Sequence, residues 1–409
     1  MWFKIANIKK EAVNVSKVIG VYDKRKEKKN EKEKAKSNGA IIASHKLPSS
    51  QRASAATDVL IAGDKTMKDL IERRKNCTCQ SIAGYAAEVH HKTTFEADAE
   101  LKGKSTLKVK IGPRGGNGSK GTADLTVTKN GTKVAEAGLK YRAKTSETTF
   151  DQSNVFDRGR QKICPSDQTD RVKHLAGKRA KTGTFKSADY ADTEKNATDK
   201  LRYDGVESKP LSKKSAEKLA QEGSNYYKEA FKTEMKINTI NAAKTGAAVG
   251  AFTSAISNGV DCLNGQKSVK EACKQVAKDT IKCSVRSVTV SAVTTGTKHA
   301  LIKASAKNIA KGNLPMAIAS TALDAGSEIY SDIKKCCNGE LSKSKVATNA
   351  VMHTSKAAVK TSGAIAGAEL GASIGVFGGP VGVAVGGFIG GTVGYVASSG
   401  FVSEISSWF

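Results

Sequence analysis

The residues best suited to chemistry lie in a short hairpin. Ala123–Thr128 and Lys133–Arg142 alternate apolar and polar side chains, and Asn130-Gly131 between them is a strong hairpin signal. A two-residue loop would place Asp124 opposite Ala137 and send Asp124 and Lys140 to opposite faces. A three-residue loop, with Gly131 in a left-handed bulge, shifts the register by one. The apolar pattern selects the bulged register, because Leu125 and Val127 must share a buried face with Ala135, Ala137 and Leu139. Asp124, Glu136, Gly138 and Lys140 then share the other face. A carboxylate and an ammonium on adjacent strands suit a substrate that develops negative charge, since a fixed lysine offsets it.

The elements that position these groups are legible in outline. Residues 65–100 suggest one or two helices carrying Glu88. Thr106–Ile111 reads as a strand, with Leu107, Val109 and Ile111 on one side and Lys108 and Lys110 on the other. Pro113–Gly121 is a glycine-rich loop, and after Thr145 the chain reads as polar and loop-rich. Ser212 can cap a helix that runs past Tyr226 and Phe231. Residues 1–36 look helical and end in a mixed-sign charge run, while the Ser/Ala-rich residues 37–56 read as a linker. From Asn241 the composition shifts to Ala, Gly, Ser and Thr. Cys262-Leu263-Asn264-Gly265 with Ser268 recurs as Cys336-Cys337-Asn338-Gly339 with Ser342, which suggests duplicated helix–turn–helix units.

On Asp124, Lys140 and Glu88 the chain resembles the PD-(D/E)XK, restriction-endonuclease-like nucleases. In that family an acid on one strand and an (E/Q)-x-K triplet on the next bind Mg²⁺ and activate water, often joined by a helix acid. The resemblance implies Asp124 as metal ligand, Lys140 as the group acting on water or transition-state charge, and Glu88 as helix acid. A divalent ion would polarise a phosphodiester and lower the pKa of water. Gly138 stands where the family carries Glu or Gln, and Glu136 is available to substitute. The stretches Glu88-Val89-His90-His91 with Phe95, and Gln161-Lys162-Ile163-Cys164-Pro165, resemble bacterial proteins that join such a core to a glycine-rich tail. An active nuclease, a nucleic-acid-binding relic and an unrelated α/β fold all remain open.

Other groups carry weaker signals. His90 and His91 are adjacent, diverge by about 100° on a helix, and read as packing residues. Cys77-Thr78-Cys79 reads as two reduced thiols rather than a metal clip. Gly112-Pro113-Arg114-Gly115-Gly116-Asn117-Gly118 lacks the Gly-Lys-Ser/Thr of a Walker loop, although Arg114 could meet a phosphate. Arg158 and Arg160 are candidate contacts to a nucleic-acid backbone, with solvated surface as the alternative. Aromatics make up only 5% of the chain, which argues against a base-stacking single-strand binder.

The net charge of +28 favours nucleic acid or an anionic lipid surface as partner. From Ile237 onward 17 basic residues face 9 acidic ones, which leaves 50 against 30, and so +20, in the N-terminal part. The N-terminus lacks a secretory apolar stretch, so the basic bulk is expected in the cytoplasm.

Near the C-terminus Gly363, Gly367, Gly371 and Gly375 are spaced by four, as are Gly382, Gly386, Gly390 and Gly394, with Gly378-Gly379-Pro380 between as a turn. A period of four puts each set on one helix face, where backbones can approach closely. Each interior Gly costs about 1 kcal/mol relative to Ala. Eight would cost about 8 kcal/mol, comparable with a whole domain's stability. Such helices need lipid or very close packing. Each arm, at about 17 residues and about 25 Å, is at the short end for a bilayer span. A hairpin buried in a soluble fold is the alternative.

The expected architecture is α+β. It comprises a charged N-terminal helix and linker (1–56), a PD-(D/E)XK-like α/β domain (57–200), a connecting helix (201–240) and an all-α, membrane-associated Ala/Gly-rich domain (241–409). The expected activity is metal-dependent nuclease-like action on nucleic acid, DNA first, in phage defence or toxicity. The chain would sit at a bacterial inner membrane, with the basic domain facing the cytoplasm and homo-oligomers forming through the zippers. The rival is a non-enzymatic pore-forming effector with a sensor domain.

Overall fold

The computed structural model describes residues 40–113, 121–303 and 314–342, together with 34, 37, 38 and scattered positions from 345 to 390. The chain divides into two compact units, Gln51–Glu234 and a second formed by Met1–Ser50 with Met235–Phe409. The first is α+β and the described part of the second is helical.

In the α+β unit, α1 (Pro48–Arg73) and α2 (Cys79–Leu101) precede three strands, β1 (Leu107–Ile111), β2 (Leu125–Lys129) and β3 (Thr132–Leu139). Then follow α3 (Thr145–Gln152), β4 (Gln161–Ile163), α4 (Thr169–Ala180), α5 (Ser187–Asn196) and β5 (Ala197–Thr198). The order in space is β1-β2-β3-β4-β5. β2 is antiparallel to both neighbours, whereas β3, β4 and β5 are mutually parallel. A small ribbon, β6 (Arg202–Tyr203) with β7 (Val206–Glu207), leads to α6 (Lys213–Glu222).

Alternation explains the sheet. Leu107, Val109, Leu125, Val127, Ala137 and Leu139 are buried with Ile82, Ala83, Ala87, Phe95 and Ala99 of α2 in one core. Phe95 is fully buried, and its burial contributes about 3 kcal/mol. Leu201, Val206, Leu211, Ala216 and Ala220 belong to the same core, so residues 201–222 are part of this domain rather than a connector. The expected continuous helix past Tyr226 is interrupted: α6 ends at Gly223, whose φ of 79° suits glycine, and α7 (Tyr226–Leu263) begins afresh. Ser212 caps α6 as expected, its hydroxyl accepting from Ser215 N at 3.0 Å.

Two other expectations are corrected. Residues 40–46 and 48–56 are helical, not linker, and Ala40 to Ala43 are buried. The Ser/Ala composition reflects close helix packing there. Residues 145–200 are not loop-rich but form three helices and two strands. Their strands are only three and two residues long, too short to show a period in sequence.

In the helical unit, α7 is followed by α8 (Val269–Lys303) and α9 (Leu314–Cys337). The repeat is structural. Gly265 N bonds Cys262 O at 3.0 Å and Gln266 N bonds Asp261 O at 2.8 Å; Gly339 N bonds Cys336 O at 3.1 Å and Glu340 N bonds Lys335 O at 2.9 Å. Both glycines have positive φ, and these paired bonds close each helix identically. Among the described residues no helix is long and apolar enough to cross a membrane. Gly363, Gly367 and Gly390 are helical, whereas Gly371, Gly375, Gly382, Gly386 and Gly394 lie outside the described residues. Close glycine packing does occur earlier: a Cβ at Gly250 would lie 2.9 Å from Thr280 Cα, and one at Gly246 2.9 Å from Ser284 Cα.

Candidate functional site

The hairpin delivers Asp124 and Lys140 to one place by a route other than the one expected. Its loop has two residues, with Lys129 paired to Thr132 and positive φ at both Asn130 (51°) and Gly131 (83°). The extra residue enters one step later, between the pairs Thr128–Lys133 and Val127–Ala135. The expected register is thus reached through a bulge in β3, not in the turn.

Asp124 Oδ2 accepts from Leu139 N at 2.6 Å and from Lys140 Nζ at 3.0 Å. Both side chains are partly buried. Both bonds fall on Oδ2. Glu136 is on the same face but engaged elsewhere, by Lys133 and by Arg160, each at 3.1 Å. The Lys133 bond, and then Arg160, hold its carboxyl below the usual range against the opposing effect of burial.

Gly138 lies between these groups, and its missing side chain is filled. A Cβ added there would lie 3.1 Å from Asp157 Cγ and 3.2 Å from each Asp157 oxygen. Asp157 follows from a short 3₁₀ turn, Val155–Asp157, capped by Asn154. Asn154 Nδ2 holds Asp157 Oδ2 at 2.7 Å and Arg160 Nη1 holds Oδ1 at 2.9 Å. Sequence reasoning missed Asp157 because the triplet directs attention to β3 itself.

Arg160 is a clamp rather than a free phosphate contact. Its guanidinium bonds Glu136, Asp157 and, at 2.6 Å, the Gly121 carbonyl. Burial opposes its charge, but the bonds from Asp157 and Glu136 prevail and raise its pKa. Arg158 is about half exposed and pairs with the buried Asp189 at 2.5 Å. Arg114 lies outside the described residues. Glu88 is partly buried on α2. Among the described residues no three His, Cys, Asp or Glu side chains form a group able to hold a metal, so Glu88 does not complete a set with Asp124. Mg²⁺ needs fewer, since one or two carboxylates with waters and substrate phosphate oxygens commonly suffice. Asp124 and Asp157 are the carboxylates available for that smaller demand, although both oxygens of Asp157 are held by Asn154 and Arg160.

The histidines are supports. Tyr141, next to Lys140, donates to Leu211 O at 3.0 Å, so His91 Nε2 donates to the Tyr141 oxygen at 3.0 Å. His91 Nδ1 then accepts from Ser208 at 2.8 Å. His90 Nε2 donates to Lys209 O at 3.2 Å and Nδ1 accepts from Tyr226 at 2.9 Å. Burial, above all, lowers the pKa of His90 to about 4 and that of His91 well below its ordinary value. Both are therefore neutral near pH 7, tying α2 to the segment after β7 and to the end of β3. Lys162, fully buried on β4, donates to Gln152 O at 2.7 Å and lies 3.2 Å from Asp192 Oδ2. Cys164 is no nucleophile, because burial pushes its thiol up to about 12.

No family model matches the chain, and no curated protein or solved structure matches it either.

Proposed function

We propose that Gln51–Glu234 is a nuclease-like domain acting on the phosphodiester backbone of nucleic acid, DNA first. The observation that carries this reading is the Asp124–Lys140 pair at the end of the hairpin, with the Asp157 carboxylate filling the space over Gly138. Lys140 would stabilise charge developing on a phosphate oxygen. Asp124 orients that ammonium and fixes the strand end through Leu139 N. Arg160 and Asn154 orient Asp157. Mg²⁺ bound by Asp124 and Asp157 would supply phosphodiester polarisation and a water of lowered pKa. The net charge of +28 supports an anionic polymer as substrate. The Ala/Gly-rich unit would dock this domain at a bacterial inner membrane, with the zippers joining copies, in a phage-defence or toxic role.

The test is cleavage of plasmid and single-stranded DNA with Mg²⁺ by the full chain. Asp124→Ala and Lys140→Ala are each expected to reduce the rate by at least about 10²-fold. Cleavage unchanged in both variants, or none in the wild type with Mg²⁺ or Mn²⁺, refutes the nuclease reading.

A second reading, a membrane-perturbing helical effector with a sensor domain, is favoured by one observation in the other unit. On α8 the apolar Ile281, Val285 and Val293 are exposed, while Ser287 and Ser291 are fully buried with hydroxyls lacking hydrogen-bond partners among the described residues. Exposed apolar side chains over a polar interior suit a non-aqueous surrounding, and Lys278 and Lys282 share the exposed surface with them. Vesicle leakage that survives Asp124→Ala but is lost on Gly371→Leu would establish this reading.

A further inference from the structure

Overall aromatic content argues against base stacking, but the placement of the aromatics argues for it. Among the described residues of Gln51–Glu234, the exposed large hydrophobics are Phe150, Val155, Phe156 and Phe185, all within one stretch of the chain. Phe150 is 52% and Phe185 92% exposed. Single exposed apolar residues are ordinary, but an exposed ring at the edge of a cleft lined by Arg142 and Arg179 calls for a partner. The same stretch is basic, with 11 Lys and Arg against 5 Asp and Glu from Arg142 to Lys186.

A cleft of about 580 Å³ opens beside Phe150, within the range that takes a small ligand. Arg142, Arg179 and Tyr190 line it with Phe150, as do Glu147 and Asp151. Asp151 pairs with Arg142 at 2.5 Å, and Arg179 Nη1 reaches the Tyr190 hydroxyl at 3.5 Å. Lys186 Nζ lies 3.7 Å over the Phe150 ring. Its flexible stem can move aside, leaving the ring to a flat ligand and the ammonium to an anion. Phe156 reaches the other site, since a Cβ at Gly121 would lie 3.8 Å from its ring and the Gly121 carbonyl is bonded to Arg160.

We propose that this face binds single-stranded nucleic acid, an unpaired base stacking on Phe150 and the adjoining phosphates meeting Arg142, Arg179 and Lys186. The occupant follows from chemistry. Exposed rings interleaved with cations are how unpaired bases and their backbone are held, and the bases of a duplex are already stacked on one another. The proposal rests on the nuclease-like reading for its biological sense and specifies the substrate class of that site.

The experiment measures anisotropy of a labelled oligothymidylate, and of a hairpin duplex of equal length, with the full chain in EDTA. The single strand is expected to bind at least about tenfold more tightly than the duplex. Phe150→Ala should weaken single-strand binding about tenfold without changing its salt dependence, and Phe150→Trp should retain it. Duplex binding as tight as single-strand binding overturns the proposal, and so does a Phe150→Ala variant that binds like the wild type. Because the assay involves no cleavage, the two readings fail separately. A chain that cuts DNA but ignores Phe150→Ala loses only the stacking site. One that binds single strands through Phe150 but cuts nothing loses only the nuclease.

Discussion

Acidification should weaken the α+β unit through its two buried histidines, by an amount that can be worked out for His90. Both of its ring nitrogens are committed, to Tyr226 and Lys209, and burial lowers its pKa from 6.5 to about 4. The folded form therefore resists a proton that the unfolded form accepts. The stability due to neutral His90 is fully present above pH 6.5 and is lost as pH falls toward 4. At pH 5 the loss is about 2 kcal/mol, approaching about 3 kcal/mol near pH 4. His91, whose pKa burial also lowers, adds in the same direction. A loss of 2 kcal/mol lowers the midpoint of a domain this size by about 4–8 °C. The assay is urea unfolding followed by circular dichroism at pH 7.5 and pH 5, comparing wild type with His90→Gln. The variant starts less stable but should lose about 2 kcal/mol less over that range. An equal loss in both chains refutes the argument, as would a His90 imidazole resonance that titrates near 6.5 in the folded protein.

Three further outcomes follow from packing. Gly250→Ala gains about 1 kcal/mol of helix propensity but forces a Cβ to 2.9 Å from Thr280 Cα, an overpacking worth about 1–3 kcal/mol; Gly259→Ala meets nothing within 4 Å and should stabilise. Thermal melts that shift the same way for both variants would contradict this. Gly138→Glu, whose Cβ would crowd Asp157, should destabilise by about 1–3 kcal/mol, and Asp157→Gly in the same chain should recover most of it in denaturant unfolding. Lys162→Met should cost about 3 kcal/mol by leaving Asp192 without its buried cation, and Asp192→Leu added to it should restore part of the loss; a single variant as stable as wild type would show that the pair is not coupled.

Local chemistry was enough for some features of this chain. Alternation specified β1 and the faces of the hairpin, Asn130-Gly131 located its turn but not the two-residue length of the loop, and the spacing of Gly265 and Gly339 with Ser268 and Ser342 specified two identical helix breaks. Each rests on interactions within a few residues, which a sequence displays directly. The bulge in β3 was not legible, because the total register is the same wherever the extra residue enters. Nor were β4 and β5, whose three and two residues owe their conformation to neighbouring strands rather than to any period of their own. The helix over residues 48–56 was hidden because Ser and Ala are common in linkers and equally in tightly packed helices. Asp157 and Phe150 show the limit most plainly. What matters about the first is the carboxylate set over Gly138, and about the second a ring left open to solvent beside Arg142 and Arg179. Neither is a property of local sequence: the first depends on the packing of a 3₁₀ turn against β3, the second on which surfaces the helices leave uncovered.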